Sequence, residues 1–209
     1  MEIQKQHPVF EFSGNSLCLD FINTVHDRPS GMPLDLLTNY SDLLQWCQQT
    51  HLLTEQTFKQ LSEEAAQKPE QAVHVLTEAI TLREVLYRIF LAVSQGVPPP
   101  SQDMMALNTT LTIAMPRLQV IPEVHGFIWD WADKERSLDS ILWPIVRSAT
   151  SLLTSKNLDR VHVCAASDCN WLFVDISKNG KRRWCDMKNC GNRAKVRRFH
   201  ERKKLVSAD

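Results

Sequence analysis

The sequence has 209 residues, and its 24 lysines and arginines balance 24 aspartates and glutamates, so the formal net charge is zero. Hydrophobic residues at 43% and charged residues at 23% are typical of a folded globular protein, and they exclude a disordered or collagen-like chain. The sequence contains no run of ~18 apolar residues, so we expect neither a membrane span nor a membrane partner. The first residues lack the apolar stretch of a secretory signal, so we expect a cytoplasmic protein.

The zero total conceals a division of charge along the chain. Residues 156–209 contain 14 basic and 6 acidic side chains, a net charge of +8, and residues 1–155 carry the balancing −8. Four of the six cysteines also lie in the second segment. Charge asymmetry between segments indicates an interaction module. These patterns predict two domains, residues 1–155 and residues 156–209.

The first domain is predicted to be mainly helical. Apolar residues spaced three and four apart indicate helices, and turn residues at 27–31 and 96–100 separate some of them. Ser13, Thr54 and Ser101 are the expected N-caps of three helices, and Pro69 fits the first turn of a fourth. The predicted helices cover residues 14–26, 39–50, 55–67, 69–94 and 101–112.

One β-hairpin is expected in the same domain. Between Arg117 and Trp131, apolar residues alternate with other residues around Pro122 and Gly126, which is the pattern of two short strands and a turn. Helical periodicity resumes over residues 138–155, where the proline at 144 marks either the start of the helix or a kink. A segment of this length can bury a core, whereas the ~50 residues that follow need a covalent or metal staple.

Four cysteines supply such a staple. Cys164, Cys169, Cys185 and Cys190 have the spacing C-x4-C-x15-C-x4-C. In a reducing compartment this pattern favours a metal over disulfides, and zinc takes four thiolates in a tetrahedron. Four cysteine ligands leave no open position for a substrate, so we predict one structural zinc ion. The alternative is four unmetallated cysteines in a small core.

The chain between and after the cysteine pairs predicts the shape of the second domain. Residues 171–174 and 182–185 flank an Asn-Gly turn at 179–180, which indicates two paired strands. Residues 190–204 have helix-forming composition without proline. A helix that begins near Cys190 points its N–H groups at the negative zinc–thiolate cluster. We expect a knuckle, a hairpin and a helix around one ion.

These residues match a known family pattern. The run Cys-Asp-Met-Lys-Asn-Cys-Gly-Asn-Arg-Ala-Lys-Val at 185–196 resembles the CGNR zinc finger, and residues 173–175 and 182–185 are similar to it as well. Residues 14–15 and 19–25 resemble the ABATE domain, which accompanies this finger. The resemblance implies a bacterial, stress-induced transcription regulator with a DNA-binding treble-clef finger and a ligand-binding N-terminal domain. The expected fold class is α+β, a mainly helical N-terminal domain with a β-hairpin plus a small C-terminal treble-clef zinc finger.

The basic residues of the second domain are the candidate nucleic-acid contacts. Residues 176–204 contain 12 basic and 2 acidic side chains, and a zinc tetrathiolate offsets only about −2 of that charge. Such a surface would neutralise phosphates and release counterions. The alternative is a solvated basic face without a partner. The candidate contacts are Arg182, Arg183, Arg193, Lys195, Arg197, Arg198, Arg202 and Lys204.

A second candidate site lies near the N-terminus. Asp20, Asn23, Thr24 and Arg28 are polar residues in or just after an apolar segment. They predict an effector pocket in which Arg28 grips an anion and Asn23 orients it. The alternative is that these side chains form caps and hydrogen bonds of the core.

The sequence does not favour an enzyme. It has six glycines with no phosphate-binding loop, and its histidines show no ligand or triad spacing. We therefore expect a DNA-binding transcription regulator, with an RNA-binding or protein-interaction adaptor as the alternative. A homodimer is compatible with either, because regulators often pair to bind two half-sites.

Overall fold

The longest helix, α4 (Pro69–Ser94), lies at the centre of the fold, which a computed structural model describes for residues 8–206 apart from the side chains of residues 201–202 and 204–206. Its inward face follows the helical period of its apolar residues, and Leu86, Ile89 and Phe90 are fully buried. The other helices are α1 (Leu17–Ile22), α2 (Tyr40–Gln49), α3 (Glu55–Gln67), α5 (Ser101–Ala114), α6 (Trp143–Leu153) and α7 (Asn192–Val206).

The strands form antiparallel pairs. Each pair has only two strands, and the pairs do not join into a larger sheet within residues 8–206. The pairs are β1 (Val25–His26) with β2 (Leu34–Asp35), β3 (Leu118–Glu123) with β4 (Gly126–Trp131), and β5 (Val161–Val163) with β6 (Leu172–Val174). The fold class is therefore α+β, as predicted.

Most of the predicted elements are confirmed. The Asn39 side chain accepts from the Asp42 N–H at 3.0 Å, and the Asp42 carboxylate accepts from the Asn39 N–H at 3.2 Å, which forms a capping box at the start of α2. Thr54 caps α3, because its Oγ1 accepts from the N–H of Thr57 at 3.1 Å. The hairpin of β3 and β4 and the bounds of α4 also agree with the sequence pattern.

The first helix is shorter than predicted. It begins after Ser16 rather than Ser13 and ends at Ile22 instead of continuing to residue 26. It stops there because Asn23 uses its side chain on β6, and Val25 pairs with Asp35 in the β1–β2 ladder. Ser101 is likewise inside α5 and not its cap, since Pro100 precedes the first turn.

The predicted pairing of residues 171–174 with residues 182–185 is wrong. Strand β6 pairs with β5 instead, across the turn that carries Cys164 and Cys169. Residues 182–185 form an irregular segment, because the Arg182 N–H donates to the Asp175 carboxylate at 2.8 Å and the Arg182 guanidinium holds the Trp184 carbonyl at 2.9 Å.

The hydrophobic core extends into the metal-binding segment. Val161, Leu172 and Val174 are buried in the same apolar cluster as Leu86 and Phe90 of α4. A second, smaller cluster surrounds the four cysteines and contains Trp171 and Phe173. Strand β6 thus contributes to both clusters, with Leu172 and Val174 in the larger one and Phe173 in the smaller one. Among the helices of residues 8–206, none is both long and apolar enough to cross a membrane.

Candidate metal centre and basic surface

The four predicted ligands converge on one point. The Sγ atoms of Cys164, Cys169, Cys185 and Cys190 all lie within 4.8 Å of one another, and each side chain is buried. Cys185 Sγ is 3.6 Å from Cys169 Sγ and 3.5 Å from Cys190 Sγ. Four Zn–S bonds of ~2.3 Å in a tetrahedron give S–S edges of ~3.8 Å. The donor set and its spacing therefore fit one zinc ion.

The electrostatics of the cluster also fit a bound cation. The pKa of Cys164 is lowered, because its thiolate accepts hydrogen bonds from the thiols of Cys169 and Cys185. The contacts with Cys164 raise the pKa values of Cys169 and Cys185 well above that of a free thiol. Four sulfurs this close carry negative charge together only when a metal ion lies among them, and zinc binds thiolates.

The first two ligands are positioned by the hairpin of β5 and β6. The Cys164 N–H donates to the Trp171 carbonyl at 2.7 Å, which continues the strand ladder beyond β5. The Cys169 N–H donates to the Ala166 carbonyl at 3.2 Å and closes the turn between the strands. Both sulfurs point into the second apolar cluster. The backbone hydrogen bonds of the hairpin thus position both sulfurs of the knuckle.

The other two ligands are positioned by a π-turn, residues 187–191, at the start of α7. The Asp186 carboxylate caps this turn by accepting from the Asn189 N–H at 2.7 Å. A Cβ at position 191 would lie 2.8 Å from Met187 Sδ, so a larger residue there would displace this flexible side chain. Asn192 Nδ2 donates to the Lys188 carbonyl at 2.9 Å, which satisfies a backbone group of the turn.

Arg193 completes the Cys-Gly-Asn-Arg run. Its Nη2 donates to Cys190 Sγ at 3.2 Å and lies 3.8 Å from the Asp168 carboxylate. The interaction with the sulfur contributes to the raised pKa of this guanidinium, against the opposing effect of burial. A cation that donates to a metal-bound thiolate orients it and offsets its charge. Arg193 therefore belongs to the metal centre more than to the outer surface.

The predicted nucleic-acid contacts divide into two groups. Arg182 and Arg197 are engaged within the protein, as Arg193 is. Arg182 donates to the carbonyls of Ser13, Trp184 and Cys185 and stacks over Phe173 at 4.4 Å. Arg197 pairs with Asp168 at 3.2 Å and donates to Ser167.

Arg183, Lys195 and Arg198 form the second group, which we call the free basic face. All three are exposed, and none of their side chains donates a hydrogen bond to a residue that the structure describes. Arg183 and Arg198 flank the Trp184 ring at 5.5 and 5.9 Å. They line a cleft of about 380 Å³ together with Arg197. The side chains of Arg202 and Lys204 lie outside the described residues.

None of the residues predicted to bind an effector lines the clefts of about 670, 280 and 380 Å³. Asn23 is 2% exposed and makes two hydrogen bonds with the Leu172 backbone, at 2.9 and 3.0 Å. Thr24 Oγ1 donates to the Phe21 carbonyl and accepts from Arg83. Each of these side chains has a partner within the protein, and the effector role stays a prediction.

The other two members of that set are charged. Arg28 pairs with Glu84 through two hydrogen bonds, at 2.8 and 3.1 Å, and stacks on Tyr87. Asp20 accepts from the Gly14 N–H at 2.8 Å, and burial raises its pKa to about 6. The raised pKa means that burial disfavours the charged form of this carboxyl.

Sequence reasoning missed the junction between the two halves of the chain. Trp171 Nε1 donates to the Val25 carbonyl at 2.9 Å, and the Val174 N–H donates to the Gly14 carbonyl at 2.9 Å. A cleft of about 670 Å³ lies beside this junction, between His26, Asp27 and the start of α7. One residue could have indicated this junction from the sequence. Asn23 is polar within an apolar run, and a buried amide needs a hydrogen-bond partner, which here lies in the other half of the chain.

Two family models match the chain. The model of the ABATE family, described as "Putative stress-induced transcription regulator", matches residues 15–156, which is more than half of the sequence. The model of the CGNR zinc finger matches residues 160–203. No curated protein matches the chain. The two matches confirm the resemblance seen in the sequence motifs, and the four clustered cysteines hold one structural zinc ion.

Proposed function

Because the chain belongs to the ABATE family and carries a CGNR zinc finger, we propose that it is a transcription regulator that binds duplex DNA through this finger. The family description names a regulator and not an enzyme, which agrees with the absence of an enzyme motif from the sequence. We place the protein in the bacterial cytoplasm, where four reduced cysteines retain zinc.

The free basic face is the observation that carries this proposal. Its three cations are exposed and their N–H donors are available to a partner, whereas Arg182 and Arg193 already donate to carbonyls and a sulfur. Lysines and arginines that neutralise DNA phosphates release condensed counterions, which makes binding favourable and salt-dependent. We therefore assign the phosphate contacts to Arg183, Lys195 and Arg198.

Helix α7 supplies an element of suitable size. Its 15 residues span ~22 Å at 1.5 Å per residue, and a single helix fits the major groove of B-DNA. The exposed side chains of α7 are mainly basic, and Arg197 and Arg198 lie on the part of the helix that borders the cleft beside Trp184. Arginine contacts guanine bidentately when a helix enters that groove.

The test is a salt titration of duplex binding, measured by fluorescence anisotropy with the zinc-loaded chain. The triple variant R183Q/K195Q/R198Q is expected to bind duplex DNA more weakly, and to reduce the slope of log K against log salt by about 2–3, at ~0.9 per phosphate contact. The matched control, K59Q/R136Q/K156Q, removes the same charge from exposed positions outside the face.

Two outcomes would contradict the proposal. If the triple variant binds as the wild type does, the contact face is wrong. If the wild type fails to bind any duplex at moderate salt, DNA binding itself is wrong, and the finger then fits an adaptor for another protein.

RNA binding through the same finger is the second candidate. Trp184 is half-buried between Arg183 and Arg198, and an indole flanked by two guanidinium groups is a platform on which an unpaired base can stack. Competition between labelled duplex DNA and unlabelled single-stranded or structured RNA separates the two candidates. A W184A variant that loses single-strand binding but keeps duplex binding supports stacking at this ring.

Ligand sensing by the N-terminal region is the remaining part of the proposal. Arg28 is largely buried and its bidentate partner is Glu84, so an anionic effector would replace this carboxylate. The E84Q variant is expected to raise the affinity for small carboxylates, measured as a thermal shift, because it weakens the competing ion pair. An unchanged response in E84Q would contradict an anion site at Arg28.

A further inference from the structure

The β3–β4 hairpin exposes more apolar surface than a two-stranded hairpin carries in a soluble monomer. Phe127 is 78% exposed, Trp129 is 55% exposed and Val124 at the turn is 92% exposed. The base of the hairpin is anchored, since Trp131 packs on Trp143 with ring centroids 5.9 Å apart. The tip therefore projects from the body as a fixed apolar surface.

The two edges of this hairpin differ in what they offer to a further strand. The Ala132 N–H donates to the Arg117 carbonyl at 2.8 Å, and bonded pairs alternate along an antiparallel ladder. The pairs Val120–Trp129 and Pro122–Phe127 are therefore non-bonded, and their backbone groups point outward. Pro122 has no N–H, which blunts the edge of β3, whereas β4 presents the N–H and C=O groups of both aromatic residues.

We propose that β4 pairs with β4 of a second copy of this chain, antiparallel and about a two-fold axis at Ile128. The two hairpins then form a four-stranded sheet. Phe127 lies opposite the partner's Trp129, and Trp129 lies opposite the partner's Phe127. Residues whose backbone groups point outward thus face each other, as an antiparallel ladder requires.

The side chains favour a second copy over an unrelated strand, because this register is self-complementary. It makes two identical aromatic cross-strand pairs, which stabilise antiparallel sheets. Asp130 lies opposite the partner's Gly126, so no like charges meet. A two-fold axis uses the same patch on both subunits, as most homodimers do.

The exposed aromatic area contributes part of the interface. At ~200–250 Å² for an aromatic side chain, the exposed parts of Phe127 and Trp129 amount to about 300 Å². This area is below the ~800 Å² per subunit of a standard interface, so the backbone hydrogen bonds of the four-stranded sheet must supply part of the stability.

The experiment measures the mass of the zinc-loaded full chain by sedimentation, without nucleic acid, across the micromolar range. The wild type is expected to be a dimer. The variant F127K/W129K places like charges in both cross-strand pairs and is expected to sediment with half the mass. The variant F127E/W129K places opposite charges in the same pairs and is expected to restore the dimer, with a salt dependence that the wild type lacks. The control V73K/M105K replaces exposed apolar residues on α4 and α5 and is expected to stay dimeric.

Zinc content and far-UV circular dichroism establish that each variant is folded. A monomeric wild type overturns the proposal, and so does a dimeric F127K/W129K. If both hairpin variants are monomers, the antiparallel β4 register is overturned. Because no DNA is present, these results are independent of the outcome for the free basic face.

Discussion

The helical body, the described part of residues 1–155, and the zinc finger, the described part of residues 156–209, use arginine in different ways. In the body, Arg83 pairs with Asp35 at 2.6 Å and Arg88 pairs with Asp103 at 2.6 Å, so a nearby carboxylate neutralises each buried or partly buried guanidinium. In the finger, Arg182 donates to backbone carbonyls, and Arg193 and Arg197 share the single carboxylate of Asp168. Carbonyl partners do not cancel charge and the basic residues outnumber the acidic ones, so the finger stays positive while the body does not.

The two regions also differ in what holds them together. The body buries aliphatic and aromatic side chains around α4, whereas the finger has a small cluster around four cysteines. Strand β6 belongs to both, because Leu172 and Val174 lie in the large core and Phe173 in the small one. We propose that residues 1–155 and 156–209 form two domains, and the shared strand predicts that they are energetically coupled.

The largest expected effect follows from removal of one zinc ligand. The C185S variant is expected to lose zinc and amide protection over residues 164–200, because zinc binding contributes ~10 kcal/mol or more to the folding of small fingers. The helices of the body are expected to persist but to unfold at a lower denaturant concentration, since the zinc-binding cluster no longer packs against β6. Hydrogen exchange and zinc analysis measure both effects.

The control for this prediction is C47A. Cys47 is fully buried in the body, so its truncation leaves a small cavity and costs about 1–2 kcal/mol without loss of zinc. If C185S leaves the denaturation midpoint of the body unchanged, the two regions are independent and the coupling through β6 is wrong.

A smaller effect is expected from the amide that joins the regions. The N23A variant removes two hydrogen bonds and leaves the Leu172 N–H and C=O buried without partners, which costs about 2–4 kcal/mol. Urea denaturation measures the loss. The comparison is N15G, which removes one hydrogen bond to the Val174 carbonyl but keeps the positive φ of 58° accessible. An equal loss in the two variants would contradict a special role for Asn23.

Local patterns in the sequence predicted the parts of the fold that local physics determines. The cap at Thr54 and the long apolar period of α4 depend on neighbours a few positions away, and the cysteine spacing depends on the fixed geometry of zinc. The pairing of β5 with β6 was missed, because the Asn-Gly turn at 179–180 indicated a different hairpin. The partner of Asn23 lies 149 residues away, and no local pattern contains that information.

The basic residues show the same limit at the candidate site. Arg182 and Arg183 are adjacent in sequence and were predicted to act alike. The structure separates them, because Arg182 turns inward onto Phe173 and three carbonyls whereas Arg183 faces outward. Composition predicted the charge of the finger, but only tertiary contacts distinguish the cations that support the metal centre from those that stay free.

A tenfold effect on metal affinity is expected from one of the engaged cations. The R193Q variant removes the charged donor to Cys190 Sγ, and loss of an outer-shell partner typically weakens metal binding 10–100-fold. Competition with a chromophoric chelator measures the affinity. The exposed K195Q variant removes the same charge without contact to a sulfur and is expected to bind zinc as the wild type does. Equal weakening in both variants would show that net charge, and not the hydrogen bond, sets the affinity.

The smallest expected effect concerns a carboxyl of the body. Burial raises the pKa of Asp20 from 3.8 to about 6, so the folded state retains this proton where the unfolded state has lost it. The contribution of Asp20 to the free energy of unfolding therefore falls as the pH rises from about 4 to about 6 and is level above that. The D20N variant keeps an oxygen acceptor for the Gly14 N–H without the charge, so it is expected to be more stable than the wild type at neutral pH and equal to it at pH 4.

Urea denaturation at several pH values checks this prediction, with D27N in the exposed turn that follows β1 as the matched control. Relative to D20N, the wild type and D27N are expected to lose stability over the same pH range. A parallel pH profile in D20N would mean that another group is responsible.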